Sequence, residues 1–302
     1  MVSLRGQFFN WYFTRIGFKN GMAKDIKQGN RRAAQPKPAV MRRNSVEAPE
    51  FQGRKLWYIH PKGGKYLGSS KDSSKDPSKV IVFFHGGAYF YDVLDLHFAA
   101  WAKVADLSGA LVILPSYPLA PEASPSEMSQ YACDVIAKVR AEYPNANIIA
   151  GGDSAGGGLA LQMCQKLAKD GKAQPDHLLL WSPWVDVSRD NPELEEQDKR
   201  SVIIGLKGSQ LAAELYRSDL DTKDPRISPI YGNLTCLPSM TIVTGTRDLL
   251  HPDIMRFASK AKQAGASVDL QKWPGQNHYF MYLPQPEAMT VYRQAATLIK
   301  SI

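Results

Sequence analysis

The segment Gly152-Asp153-Ser154-Ala155-Gly156 stands between an apolar run, Asn147–Gly151, and a stretch with helical spacing, Leu159–Ala168. A serine hydroxyl becomes a useful nucleophile when a neighbouring base takes its proton. Small residues two positions either side of it permit a tight strand-to-helix turn that exposes the oxygen on a strained backbone. Ser154 is therefore expected to be a nucleophile for acyl transfer. The competing use of a Gly-rich helix start is phosphate binding, but no lysine follows at the spacing a nucleotide loop needs. Asp153 is set aside as a nucleophile because it precedes the centre of the turn by one residue.

Attack on a carbonyl builds negative charge on oxygen, which fixed backbone amides stabilise best. Another apolar run, Val80–Phe84, leads into His85-Gly86-Gly87-Ala88-Tyr89. Glycines there let the main chain approach a substrate. An oxyanion hole is expected from Gly86, Gly87, Ala88 and Ala155, with Gly87, Ala88 and Ala155 as amide donors and Gly86 supplying the turn. His85 is expected to brace the loop rather than react.

The base must be one of six histidines. In hydrolases with a nucleophile turn of this kind, the chain order is serine, acid, histidine. His177 begins an apolar run, at the wrong end for chemistry, and His251 lies only three residues beyond Asp248. His278 follows the last apolar run through Pro274-Gly275-Gln276-Asn277 and is the expected base. Asp248, reached from Met240–Thr244 through Gly245-Thr246-Arg247, is the expected acid. Its competitor Asp253 falls in the first turn of a helix, where a carboxylate is a dipole partner.

These groups follow elements that repeat a single pattern. Short β-rich apolar runs occur at Lys55–Ile59, Val80–Phe84, Ala110–Leu114, Asn147–Ala150, His177–Trp181, Met240–Thr244 and Val268–Trp273. Helical spacing falls at Leu96–Leu107, Glu127–Glu142, Ala155–Ala168, Pro252–Ala264 and Glu287–Lys300. Buried strands alternating with helices predict an α/β fold with a mostly parallel sheet, whose chemistry gathers at the carboxyl ends of the strands. Gly63, Gly64 and Gly68 mark a turn, and the polar run Ser69 to Ser78 a loop. The charged stretch 188–225 interrupts the alternation and is expected to be a helical insertion. With the N-terminal segment 1–50 it would form a lid over a core of residues 51–187 and 226–302.

At 302 residues and 44% hydrophobic, the chain can bury one large core. Three scattered cysteines lack disulfide or metal-ligand spacing, and no run reaches transmembrane length; a soluble, cytoplasmic protein is expected. Of the net charge of +8, residues 1–43 carry ten Lys/Arg against Asp25 alone, so the rest is near neutral. Aromatics interleave with these basic residues, and Phe9, Tyr12, Phe13 and Ile16 have helical spacing. The first reading is a lid helix with an apolar face toward the core; the second is transient contact with a membrane surface. Nucleic acid is not an expected partner, and a homodimer is left open.

The chain resembles the bacterial hormone-sensitive-lipase-like carboxylesterases of the α/β-hydrolase superfamily. The resemblance rests on His85-Gly86-Gly87-Ala88, Tyr117-Pro118-Leu119-Ala120-Pro121-Glu122, Gly152 to Gly157, Ser182-Pro183-Trp184-Val185-Asp186, Asp224-Pro225 with Ser228-Pro229, Gly245 to Leu249, and the His278 loop. It runs from about residue 79 to the end. It implies the α/β-hydrolase fold with about eight strands, a helical lid, no cofactor, and hydrolysis of a small-molecule ester with a short-to-medium acyl group. One departure is Ala88, where the family usually has a third glycine; its methyl suggests a tighter acyl pocket, with Tyr89, Trp184 and Tyr279 as substrate-binding side chains. Amide, formamide or peptide hydrolysis by the same triad, and a non-catalytic hydrolase-shaped binding protein, are the rival functions.

Overall fold

The computed structural model describes residues 2–64 and 76–302; Gly68 and the polar run from Ser69 to Lys75 lie outside them. Among the described residues nine strands form one sheet: β1 (Val46–Glu47), β2 (Glu50–Phe51), β3 (Arg54–Ile59), β4 (Lys79–Phe84), β5 (Leu111–Pro115), β6 (Asn147–Asp153), β7 (His177–Trp181), β8 (Met240–Gly245) and β9 (Val268–Trp273). The order is β1-β3-β5-β4-β6-β7-β8-β9, with β2 paired to β3. β3 runs antiparallel to β1, β2 and β5, and every pairing from β5 to β9 is parallel. The two short strands β1 and β2 are the additions to the sequence expectation.

The central strands are apolar throughout because both faces are covered. Val80, Val82 and Phe84 of β4 enter one core cluster, while Ile81 and Phe83 enter the other. The same alternation holds along β5, β6 and β7, as a side-chain period of two requires. One face packs on α5 (Pro125–Glu142), α6 (Ala155–Lys169) and α9 (His251–Gln263); the other on α4 (Asp95–Ser108) and α10 (Pro286–Ser301). Ser124 and Glu127 close a reciprocal capping box at the start of α5, which explains why that helix begins before its apolar pattern does.

The N-terminal helices are α1 (Leu4–Arg15), α2 (Gly21–Gln28) and α3 (Pro38–Arg43), and the 188–225 insertion forms α7 (Leu194–Arg200) and α8 (Leu206–Arg217). α2 packs on α8, and Lys19 Nζ reaches Asp198 Oδ2 at 3.1 Å, so the two lid pieces form one cap. Residues 38–51, inside the segment expected to belong to the lid, contact α4 and β3. Arg43 and Asn44 bond Asp106 of α4, and Val46 pairs with Ile59, so α3, β1 and β2 belong to the core. α1 turns only part of its expected apolar face inward: Phe9 and Phe13 are half-buried, whereas Tyr12 is exposed. Gly6 is its only buried residue, and Phe8, Trp11, Tyr12 and neighbouring Ile16 are exposed. Among the described residues no helix is long and apolar enough to cross a membrane.

Candidate active site

β6 ends at Asp153, and Ser154 takes φ 50° and ψ −120° before α6 begins. A side chain could not replace either flanking glycine. A Cβ on Gly152 would run into the backbone of Gly156, and one on Gly156 into the carbonyl oxygens of Phe84 and His85. The strained serine is fixed by Ser154 N–H donating to Trp181 O at 3.0 Å and by its carbonyl accepting from Trp184 N at 2.7 Å.

The loop after β4 lies against this turn. Gly87 has φ +124°, and a Cβ there would fall 2.8 Å from the Tyr91 carbonyl oxygen. Among the described residues, the amides of Gly87 and Ala88 meet no acceptor in the protein. The amide of Ala155 belongs to the first turn of α6, where helix N–H groups lack intrahelical acceptors. Gly86, expected to supply the turn of this loop, donates its N–H to Asp153 Oδ1 at 2.9 Å, which ties the loop to the Ser154 turn. His85 braces as expected. Its ring stacks on Tyr117 at 4.3 Å, its Nδ1 pairs with Gly86 O at 2.8 Å, and the Tyr117 hydroxyl donates to His85 O at 2.8 Å.

Asp248 and His278 meet across the sheet edge. His278 Nδ1 lies 3.0 Å from Asp248 Oδ1 and 2.9 Å from Oδ2, with both residues fully buried. Asp253 is occupied elsewhere, accepting from Asn191 and Arg256 at 2.8 Å each. The insertion secures both loops: Gln197 donates to Asp248 O at 2.6 Å, and Val202 N–H donates to Asn277 Oδ1 at 3.1 Å. His278 Nε2 has no hydrogen-bond partner among the described residues. His278 and Ser154 line the same cavity, without a closed hydrogen bond between them; such contacts often tighten only when substrate binds.

That cavity has a volume of about 520 Å³. The core contributes Gly87, Ala88, Ser154, Trp184, His278 and Tyr279, and the cap contributes Ile16, Phe18, Met22, Ile203 and Ile204. Trp184 and Tyr279 line the cavity, and Tyr89 does not. The Tyr89 ring is fully buried, stacked on Tyr216 at 3.6 Å, with its hydroxyl against Gly158 and Gln162. Its φ of +58° is part of the tight turn that follows the glycines.

Two features escape a reading of the residues in order. Burial, with the Asp153 carboxylate beside it, pushes the Tyr279 hydroxyl well above its ordinary range, so it stays protonated within reach of Ser154 and Asp153. Burial acts to raise the Asp153 carboxyl, but the His97 ring and the Gly86 amide outweigh it and hold the group below the usual carboxylate range. The polar residue before the serine was the available signal for this second layer. The cap residues that line the cavity carry no motif, and only folding brings them to it. Among the described residues no cluster of side chains could hold a metal ion.

Residues 81–282 match the α/β hydrolase fold family. An esterase of Acinetobacter venetianus is 30% identical over 208 residues, covering 68% of this chain and 69% of that protein. An acetyl-hydrolase of Streptomyces hygroscopicus is 27% identical over 70% of this chain and 73% of that protein. The crystal structure of a hormone-sensitive-lipase homologue from a metagenome library superimposes with a TM-score of 0.83 at 24% identity, covering 100% of this chain and 99% of that one, a likeness of fold. The chain belongs to the α/β hydrolase fold family, among its esterases.

Proposed function

We propose that this carboxylesterase cleaves small esters with short-to-medium acyl groups through an acyl-enzyme on Ser154. Ser154 Oγ attacks the ester carbonyl while His278 Nε2 accepts its proton. Asp248 holds the imidazole tautomer and stabilises the imidazolium that forms. The amides of Gly87, Ala88 and Ala155 receive the oxyanion, and preorganised donors of this kind each contribute about 3 kcal/mol to the transition state. His278 then returns the proton to the departing alcohol. A water activated by the same nitrogen releases the acid and restores the serine.

The observation that carries this reading is the two-oxygen grip of Asp248 on His278 Nδ1, which leaves Nε2 unpartnered at a cavity lined by Ser154. Relatives described as an acetyl-hydrolase and, in Pseudomonas putida, an ethyl acetate hydrolase support a short acyl group. Turnover of nitrophenyl acetate, butyrate and octanoate beside the matching anilides tests it. Esters should far exceed anilides, with the maximum at or below butyrate. Faster anilide cleavage would transfer the site to amide chemistry, and a maximum at octanoate would overturn the acyl-length assignment.

A further inference from the structure

A surface helix normally turns its apolar stripe to the core and its polar side to water. α1 departs from this: Phe9 and Phe13 are half-buried, but Leu4, Phe8, Trp11 and Tyr12 are exposed. Its polar side holds it to the body of the protein: Ser3 N–H and hydroxyl donate to Glu287 at 2.6 and 2.8 Å, Asn10 Nδ2 donates to Gly275 O at 3.2 Å, and Asn277 Nδ2 donates to Asn10 Oδ1 at 2.6 Å. These bonds fix the rotation of the helix, so its outward side follows from the fold. On that side, at spacings of four and three residues, stand Leu4, Phe8 and Trp11, which are 84%, 54% and 61% exposed. The Phe8 ring lies 6.0 Å from both Trp11 and Tyr12, making the stripe continuous. Large exposed apolar patches mark places where something else supplies the cover.

The charge around the stripe selects what that is. Arg5 and Arg15 on α1, and Lys24 and Lys27 on α2, form no ion pair among the described residues. Beside the stripe, Trp11, Arg15 and Arg247 border a groove of about 510 Å³ with Gln7, Asn10 and Thr14, which presents two guanidinium groups next to an aromatic ring. Aromatic side chains interleaved with cations suit the boundary of an anionic bilayer, where rings enter the acyl region and cations meet phosphate. Directly after α1, Ile16 and Phe18 form part of the wall of the catalytic cavity. We propose that α1 is an interfacial helix that seats the protein on an anionic phospholipid surface, with the cavity mouth beside that surface.

Flotation of the full-length protein with vesicles rich in phosphatidylglycerol, against vesicles of phosphatidylcholine alone, tests this. Binding should favour the anionic vesicles and weaken as salt rises. Phe8→Glu with Trp11→Glu should lower partitioning about tenfold or more, and Arg5→Glu with Arg15→Glu should lower it comparably. Both pairs should keep the thermal midpoint and the kcat/KM of the parent on a soluble nitrophenyl ester, since none of these residues touches the cavity. Absence of flotation, or flotation unchanged by the aromatic pair, would overturn the proposal. So would light scattering that shows a dimer dissociated by the aromatic pair, which would give the stripe to a second copy of the chain. Failure of the esterase reading would leave these outcomes unchanged.

Discussion

The Gly86 amide donates to Asp153 Oδ1 at 2.9 Å, so the carboxylate beside the proposed nucleophile holds the loop that carries the proposed oxyanion donors. The turn after β6 and the loop after β4 are thereby built as one unit. A hydrogen bond to a charged group contributes about 1.5–3 kcal/mol, and leaving a partner unsatisfied costs at least as much. Asp153→Asn should therefore lower kcat by roughly one to two orders of magnitude, with a smaller change in KM. Steady-state kinetics on a soluble ester, with circular dichroism as a check on folding, would show it. A kcat within about twofold of the parent would remove Asp153 from this role.

The two acidic residues near β8 should separate cleanly. Asp248→Asn should keep the fold and lower kcat by about 10³–10⁴, because the imidazole tautomer is no longer enforced. Asp253→Asn should retain most turnover, since that carboxylate serves Asn191 and Arg256. Parallel kinetics and thermal melts of the two variants measure the contrast, and equal loss of kcat would contradict it.

Much of this site was legible because its residues close or follow strands. The runs ending at Phe84, Asp153, Gly245 and Trp273 all deliver a predicted group to one sheet edge. Burial on both faces writes such strands as unbroken apolar runs, so their limits were met to within about three residues. The side chains of Tyr89 and Asp153 were not legible. One turns back between α6 and α8, and the other works across the chain on Gly86; neither is encoded by spacing. α1 misled for a related reason. Its helical period is real, but an aromatic stripe at that period does not say whether protein or something else covers it.

Ala88 has φ +58° and lines the cavity. A left-handed conformation costs a non-glycine residue about 1–2 kcal/mol, and on the proposed function its methyl would narrow the space for the acyl group. Ala88→Gly should shift the nitrophenyl ester profile toward longer chains, raising the hexanoate-to-acetate ratio of kcat/KM severalfold. An unchanged ratio would show that the methyl does not limit the acyl group.

Buried and half-buried histidines give the stability a definite pH dependence. Burial holds His97, His177 and His251 below their ordinary range, opposed in part by carboxylates nearby. In the unfolded chain these imidazoles titrate near about 6.5, so below that pH the unfolded state binds more protons than the folded one. Their contribution is fully present above about pH 6.5 and is lost as the pH falls toward the folded values. Calorimetry from about pH 7.5 to about 5.5 should show a falling thermal midpoint, and a flat midpoint over that window would contradict the assignment.

The most direct measurement is the site of covalent capture. The purified protein is treated with a nitrophenyl alkylphosphonate, digested, and mapped by mass spectrometry while residual ester turnover is followed. One adduct per chain, on Ser154, should form in step with the loss of activity, more slowly in His278→Ala and not at all in Ser154→Ala. Complete inactivation with the adduct on another residue, or undiminished ester turnover by Ser154→Ala, would contradict the account.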